Sequence, residues 1–90
     1  MKYVLLYEPG GEDSPAKARL HFPEHVAAWE AYRRDGTLLL IGPFTDGSGA
    51  MAVFTTREAA EQFAREDPFV RHGAVSGWSV REWHEAIFDS

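Results

Sequence analysis

FPEHVAAWEAYRRDG, residues 22–36 of the chain, predicts an amphipathic helix with a start signal and a stop signal. Pro23 suits the first turn of a helix, where its missing N–H has no intrahelical partner. Gly36 suits the end, where a residue free to adopt positive φ is needed. His25 and Trp29 are one helical turn apart and therefore share a face. We expect His25 in the first turn, on or beside the face that packs inward.

Length and composition are typical of a single small domain, which we assign to residues 1–90. The chain has no cysteine, so disulfides and thiolate–metal sites are excluded. Apolar residues make up 44% of the sequence and aromatic residues 13%, which is more hydrophobic material than one small core needs. The excess predicts a second burial partner, most simply another copy of the chain.

The charge pattern narrows the choice of partners. The formal net charge is −5 and the arginines are scattered, so neither nucleic acid nor an anionic membrane is an expected partner. The longest apolar run, residues 38–41, is far too short to span a bilayer. The first residues read directly as a strand, without the apolar region of a signal peptide. The cytoplasm is therefore the expected location.

The pattern of strand and helix signals is β-α-β-β-α-β, the ferredoxin-like α+β plan with an antiparallel sheet. Asp46-Gly47 predicts the turn of a β-hairpin, and Pro9 begins a flexible loop that extends to Pro15. A helical turn over residues 16–21 is expected before the main helix. The predicted strands are residues 2–8, 37–41, 50–54 and 75–83, and the predicted helices are residues 23–36 and 55–66.

The second helix has its own boundary signals. Thr55 and Glu58 form the spacing of a capping box, and Pro68 ends the helix because the residue before a proline avoids the α region. A separate helical turn is predicted immediately afterwards, with Asp67 as its N-cap and Pro68 at its first position.

Two helices can cover only one face of a four-stranded sheet, yet the strands carry apolar side chains on both faces. We therefore predict a homodimer that buries the uncovered face, sheet against sheet, as a dimeric α+β barrel. The tail over residues 84–90 contains Ile87 and Phe88 and is expected to dock on a neighbour.

His21 and His25, with Glu24 between them, match the H-x-x-E-H pattern of inverted zinc hydrolases. That chemistry requires both histidines one turn apart in a continuous helix. Pro23 predicts that His21 falls before the helix begins, and no third ligand is recognisable. A metal site and a cofactor are therefore not expected.

His25 and Asp67 form a more promising pair, since each is predicted at the start of a helical segment. A carboxylate bonded to one imidazole nitrogen fixes the tautomer and makes the other nitrogen a competent general base. The alternative is that Asp67 only caps its helix and that His25 is a half-buried helix residue. Residue types and spacing leave both interpretations open.

Five stretches of the chain are informative when taken together. They are residues 3–7 (YVLLY), 23–26 (PEHV), 36–43 (GTLLLIGP), 67–70 (DPFV) with Gly73, and 78–83 (WSVREW). In this order and spacing they resemble the YciI-like (YCII-related) family over nearly the whole length of the chain. The resemblance implies a ferredoxin-like fold, a dimeric α+β barrel and an active site built on a histidine and an aspartate, which correspond here to His25 and Asp67. Phe22 stands where the family often has an arginine, and Arg19 is roughly in register with another family arginine.

Three functional hypotheses follow. The first is a small cofactor-free enzyme in which His25 and Asp67 carry out proton transfer, elimination or hydrolysis on a small molecule. The second is a module that binds a small ligand without converting it, and the third is a structural dimerisation unit. In the first two, the residues expected to shape the cleft are Trp29, Gly42, Pro43, Phe44 and Phe69, although core packing also accounts for the aromatic ones.

Overall fold

The computed structural model describes residues 1–88 and contains one antiparallel sheet and three helices. The elements are, in chain order, β1 (Lys2–Pro9), α1 (Ser14–Arg34), β2 (Leu38–Pro43), β3 (Ala50–Phe54), α2 (Arg57–Glu66), α3 (Pro68–Arg71) and β4 (Val75–Trp83). The sheet has the strand order β2-β3-β1-β4, so the two strands that flank β1 come from the second half of the chain.

This architecture confirms the predicted α+β class and the ferredoxin-like order of strands and helices. Leu5 lies at the centre of the sheet, paired with Ala52 of β3 and Val80 of β4. The short helix α3 is the turn predicted after Asp67. Asp67 is its N-cap and Pro68 is its first residue, as its sequence signals indicate.

The hydrophobic core lies between the sheet and α2. Leu5 and Phe54 from the sheet meet Phe63 of α2, and all three are almost completely buried. The alanines of α2, residues 59, 60 and 64, are buried as well, so this helix lies directly on the sheet. By contrast, His25 is the one buried residue of α1. Helix α1 therefore lies less closely against the sheet, and the candidate site is in the space between them.

The start of α1 differs from the sequence prediction. The helix begins at Ser14, with Pro15 in its first turn, and continues through Pro23 to Arg34. The predicted loop over residues 9–15 is correspondingly shorter. A proline inside a helix removes one hydrogen bond, but packing can outweigh that cost. Here His21 stacks on His72 before the proline, and His25 stacks on Phe69 after it, so α3 holds both halves of α1.

The N-cap of α2 also differs from the prediction. Thr56 rather than Thr55 caps α2, since its hydroxyl accepts a hydrogen bond from the backbone N–H of Ala59 at 3.1 Å. The predicted hairpin turn between β2 and β3 is present, with Gly47 at a φ of 79°. Gly49 adopts a φ of 126°, and a Cβ at this position would lie 2.1 Å from the carbonyl oxygen of Tyr7. The turn can approach β1 this closely because residue 49 has no side chain.

The C-terminal segment after β4 has no regular secondary structure up to residue 88. Glu85 forms ion pairs with Lys2 and with the N-terminal amine, and Lys2 and that amine hold the pKa of its carboxyl at about 2. Ile87 and Phe88 are exposed. Residues 89 and 90 of the predicted docking tail lie outside the described residues. None of the helices within residues 1–88 combines the length and the apolar character needed to cross a membrane.

Replacing Phe63 by Ala should lower the free energy of unfolding by about 3–5 kcal/mol, because it leaves a cavity where the sheet meets α2. Phe88→Ala is the matched control, since Phe88 is exposed, and it should change the free energy by less than about 0.5 kcal/mol. Urea denaturation followed by circular dichroism measures both. Equal effects of the two substitutions would contradict the assigned core.

Candidate active site

Helix α1 carries His25 into the interior, and α3 places Asp67 opposite it. The imidazole Nδ1 lies 2.7 Å from Oδ1 of Asp67. His25 is 5% exposed and Asp67 is 0% exposed, so both groups are withdrawn from water. Because a carboxylate accepts hydrogen bonds, Nδ1–H is the donor, and the neutral ring keeps its lone pair on Nε2. The structure thus brings together the two residues predicted as a pair.

The buried carboxylate of Asp67 is surrounded by three donors. Oδ1 accepts the His25 bond and a second bond, 3.1 Å long, from the backbone N–H of Phe69, while Oδ2 accepts the phenolic O–H of Tyr7. A buried carboxylate without partners is strongly unfavourable, and hydrogen bonds to its charged form offset that cost. The three donors therefore stabilise Asp67 as an acceptor in this position.

Tyr7 keeps its proton throughout the ordinary pH range. Burial raises the pKa of the phenol well above its ordinary value of 10.0, and the negative charge of Asp67 and the hydrogen bond to it act in the same direction. The phenol therefore remains a donor at neutral pH. The stability that this bond provides is fully present below pH 10 and is lost only as the pH rises through the raised pKa.

Aromatic side chains fix the plane of the His25 ring. Phe69 stacks on it, with ring centroids 3.8 Å apart and planes 7° from parallel, and Trp29 meets it edge to face at 5.0 Å. Nε2 makes no hydrogen bond with any residue in the described part of the chain, and it keeps some accessible surface. This nitrogen is therefore accessible, while Nδ1 is held by Asp67.

The accessible side of His25 faces a cavity of about 490 Å³ between α1 and the sheet. Its walls are almost entirely apolar, and Arg19 is the one lining side chain with a permanent charge. This combination is typical of a small-molecule pocket, in which apolar walls bury the ligand and a few polar groups orient it. The lining residues are Leu5, Tyr7, Ala18, Arg19, Phe22, His25, Trp29, Ile41, Gly42, Pro43, Ala50, Met51, Ala52 and Phe69.

Of the residues predicted to shape the cleft, Trp29, Gly42, Pro43 and Phe69 line this cavity. Phe44 does not line it, since it begins the hairpin turn and is exposed. The strand β2 ends at Pro43, and the next residue already belongs to the turn.

The two histidines of the H-x-x-E-H pattern have different neighbours. They do lie in one continuous helix, so the predicted break at Pro23 is wrong. However, His21 stacks on His72, whereas the Nδ1 of His25 is bound to Asp67.

Tyr7 belongs to the site but was not predicted from the sequence. Its signal was the alternation of Tyr3, Leu5 and Tyr7, which places the Tyr7 phenol on the helix side of the sheet. A buried phenol needs a hydrogen-bond partner, but the sequence does not reveal that the partner lies 60 residues away.

The chain matches one known protein family over most of its length. A family model described as the YCII-related domain matches residues 1–84. The chain belongs to the YCII-related family. The resemblance noted from the sequence is thereby confirmed. A search of curated proteins found no match.

One solved structure of similar fold is a 5-chloro-2-hydroxyhydroquinone dehydrochlorinase, TftG, from Burkholderia phenoliruptrix, in complex with 2,5-dihydroxybenzoquinone. The two chains share 15% sequence identity, and the superposition covers 96% of each with a TM-score of 0.76. At this identity, the similarity supports the fold assignment for this YCII-related chain.

Replacing Tyr7 by Phe should lower the free energy of unfolding by about 1–3 kcal/mol, because one oxygen of a buried carboxylate loses its donor. Tyr3→Phe is the matched control: Tyr3 lies on the same face of β1, and its ring faces the Arg57 guanidinium at 5.3 Å. The control should change the stability by less than about 0.5 kcal/mol. Urea denaturation at neutral pH compares them, and equal stability of both variants would contradict a stabilising role for the Tyr7–Asp67 bond.

Proposed function

We propose that the chain is a small-molecule enzyme in which His25 is the general base and acid and Asp67 orients it. The observation that carries this proposal is the accessible Nε2 of His25 at an apolar cavity, with Nδ1 held by a buried carboxylate. In the proposed step, Nε2 removes a proton from the substrate and the ring becomes an imidazolium. The adjacent carboxylate stabilises that positive charge, and the imidazolium then returns the proton to the leaving group or to another substrate atom.

The cavity favours a small planar substrate that carries an oxygen anion or a carbonyl group. Trp29 and Phe22 offer aromatic walls, and Arg19 offers a cation that can bind an anionic oxygen. The quinone in the TftG complex has these properties, so hydroxylated quinones and hydroquinones are the first substrate class to test. Elimination from such a ring fits the proposed chemistry, because it begins with the removal of one proton.

His25→Ala should lower kcat by about 10²–10⁴-fold on any substrate of this class, because proton transfer loses its donor and acceptor. Asp67→Asn should also lower kcat, since an amide can hold the ring without stabilising its positive charge. His84→Ala is the matched control, as His84 is exposed and lies outside the cavity, and its kcat should equal that of the wild type. Circular dichroism establishes that the variants are folded.

The assay uses a panel of chlorinated and unchlorinated hydroxyhydroquinones and hydroxybenzoquinones. Chloride release and deuterium incorporation from D₂O report elimination and proton transfer separately. Equal turnover by wild type and His25→Ala would refute the proposed role of His25. Binding of panel members that are all recovered unchanged and without deuterium would favour the alternative, a ligand-binding module without catalysis.

We also propose that two copies associate through the open face of the sheet. Leu5 and Tyr7 face the helices, so the alternate residues Val4 and Leu6 face the other way, beside their β3 neighbours. Leu40, paired with Val53 on this face, is 67% exposed. Val4 and Val53 are already buried within one chain, so the proposed contact rests on the exposed apolar side chain of Leu40 beside them.

Leu40→Arg should convert this dimer to a monomer, since it places a charge in the apolar contact. Leu20→Arg is the matched control, because Leu20 is 72% exposed but lies on α1, away from the open sheet face. Sedimentation at micromolar concentration should give twice the chain mass of 10.1 kDa for wild type and control. A monomeric wild type would contradict the proposed dimer.

A further inference from the structure

A second group of polar side chains lies where α1 meets the end of α3, and the proposed catalytic step does not use it. His21 and Glu24 are three residues apart on α1, so they share one face of the helix. His72 is the C-cap of α3 and stacks on His21, with ring centroids 4.0 Å apart. One ligand atom from each of the three side chains lies within 4.8 Å of the others.

The Nδ1 atom of His21 is buried and has no hydrogen-bond partner in the described part of the chain. Its nearest charged neighbour is Oε2 of Glu24, which at 3.6 Å is too far away for a hydrogen bond. Buried polar atoms without partners are rare and call for an explanation, one of which is an ion absent from the structure. Glu24 and His72 are exposed, so two of the three side chains in this group are open to solvent.

We propose that His21, Glu24 and His72 bind a divalent transition-metal ion, with Zn²⁺ as the best match. Two imidazole nitrogens and one carboxylate oxygen form a ligand set that zinc adopts in proteins, with water in the fourth position. Imidazole favours zinc and its neighbours over Mg²⁺ and Ca²⁺, which prefer oxygen ligands. This proposal reverses the expectation, drawn from the sequence, that the chain has no metal site.

Metal binding requires one local movement. The two imidazole planes are 2° from parallel, so their lone pairs do not converge on one point in the present arrangement. His72 is exposed at the end of α3, so its side chain can turn without disturbing the core. Zinc–ligand bonds of about 2.0–2.2 Å then draw the three ligand atoms closer together.

The ion would join two elements that already hold the candidate active site. Helix α1 carries His25, and α3, which Asp67 caps, carries Phe69, which stacks on His25. A metal that links His72 to α1 therefore fastens α3 against the helix on which His25 lies. The role assigned to the ion is structural, and it does not depend on the proposed catalytic function.

The distribution of the four histidines makes the assignment testable. His25 is held by Asp67 and lies among aromatic rings, and His84 lies beyond β4. His84→Ala therefore serves as the control that removes a histidine without touching the proposed site. His72→Ala and Glu24→Gln are the test variants, because both side chains are exposed and their replacement leaves the core intact.

The experiment titrates Zn²⁺ into the full chain, freed of any affinity tag and pretreated with a chelator, by isothermal calorimetry. Wild type and His84→Ala should each bind one Zn²⁺ per chain. His72→Ala should weaken binding by on the order of 100-fold and Glu24→Gln by at least about tenfold, because each loses a direct ligand. At a Zn²⁺ concentration about 100-fold above Kd, the wild-type Tm should rise by roughly 10–20 °C.

Nuclear magnetic resonance of the ring protons provides a second readout. The resonances of His21 and His72 should shift on addition of Zn²⁺, while that of His84 should not. No saturable binding by the wild type at millimolar Zn²⁺ would overturn the proposal. Equal affinity of wild type, His72→Ala and Glu24→Gln would also overturn it, because the ion would then be bound elsewhere.

Discussion

The arrangement of the site depends on the hydrogen bonds that the buried carboxylate of Asp67 accepts. Its donors come from β1, α1 and α3, and two of them lie 60 and 42 residues away along the chain. A carboxylate with no access to water needs its hydrogen-bond donors. The loss of one donor costs about 1–3 kcal/mol, and more where the acceptor is charged. Asp67 therefore fixes how the first strand, the long helix and the short helix meet.

The same carboxylate combines two roles that the sequence analysis left as alternatives. As an N-cap, Asp67 accepts the backbone N–H of Phe69, and as the partner of His25 it accepts Nδ1–H with the same oxygen. The cap sets the position of Oδ1 through local backbone geometry. His25 therefore meets an oriented acceptor, and Phe69, the second residue of α3, stacks on the ring. Capping and orientation of the histidine are thus parts of one arrangement.

Several features that the sequence predicted correctly have local causes. The Asp67-Pro68 helix start and the Asp46-Gly47 turn are determined by neighbouring residues, and strand alternation identified the faces of β1. Pro23 was misleading because a proline is equally compatible with a first turn and with a packed helix interior, and only the contacts with α3 decide between them. Tyr7 and the His21–His72 stack were missed for the same reason, since both depend on contacts between distant segments.

The contrast between the two long helices explains why a cavity exists at all. Helix α2 presents Ala60 and Ala64 to the sheet and lies directly on it, whereas α1 presents Trp29 and His25 and is held away from it. The space that remains is lined by apolar side chains, so it offers little solvation to an imidazolium. In such surroundings an opposite charge acts more strongly than in water. In the proposed step the Asp67 carboxylate supplies that opposite charge beside the His25 ring, which links the packing of α1 to the proposed proton chemistry.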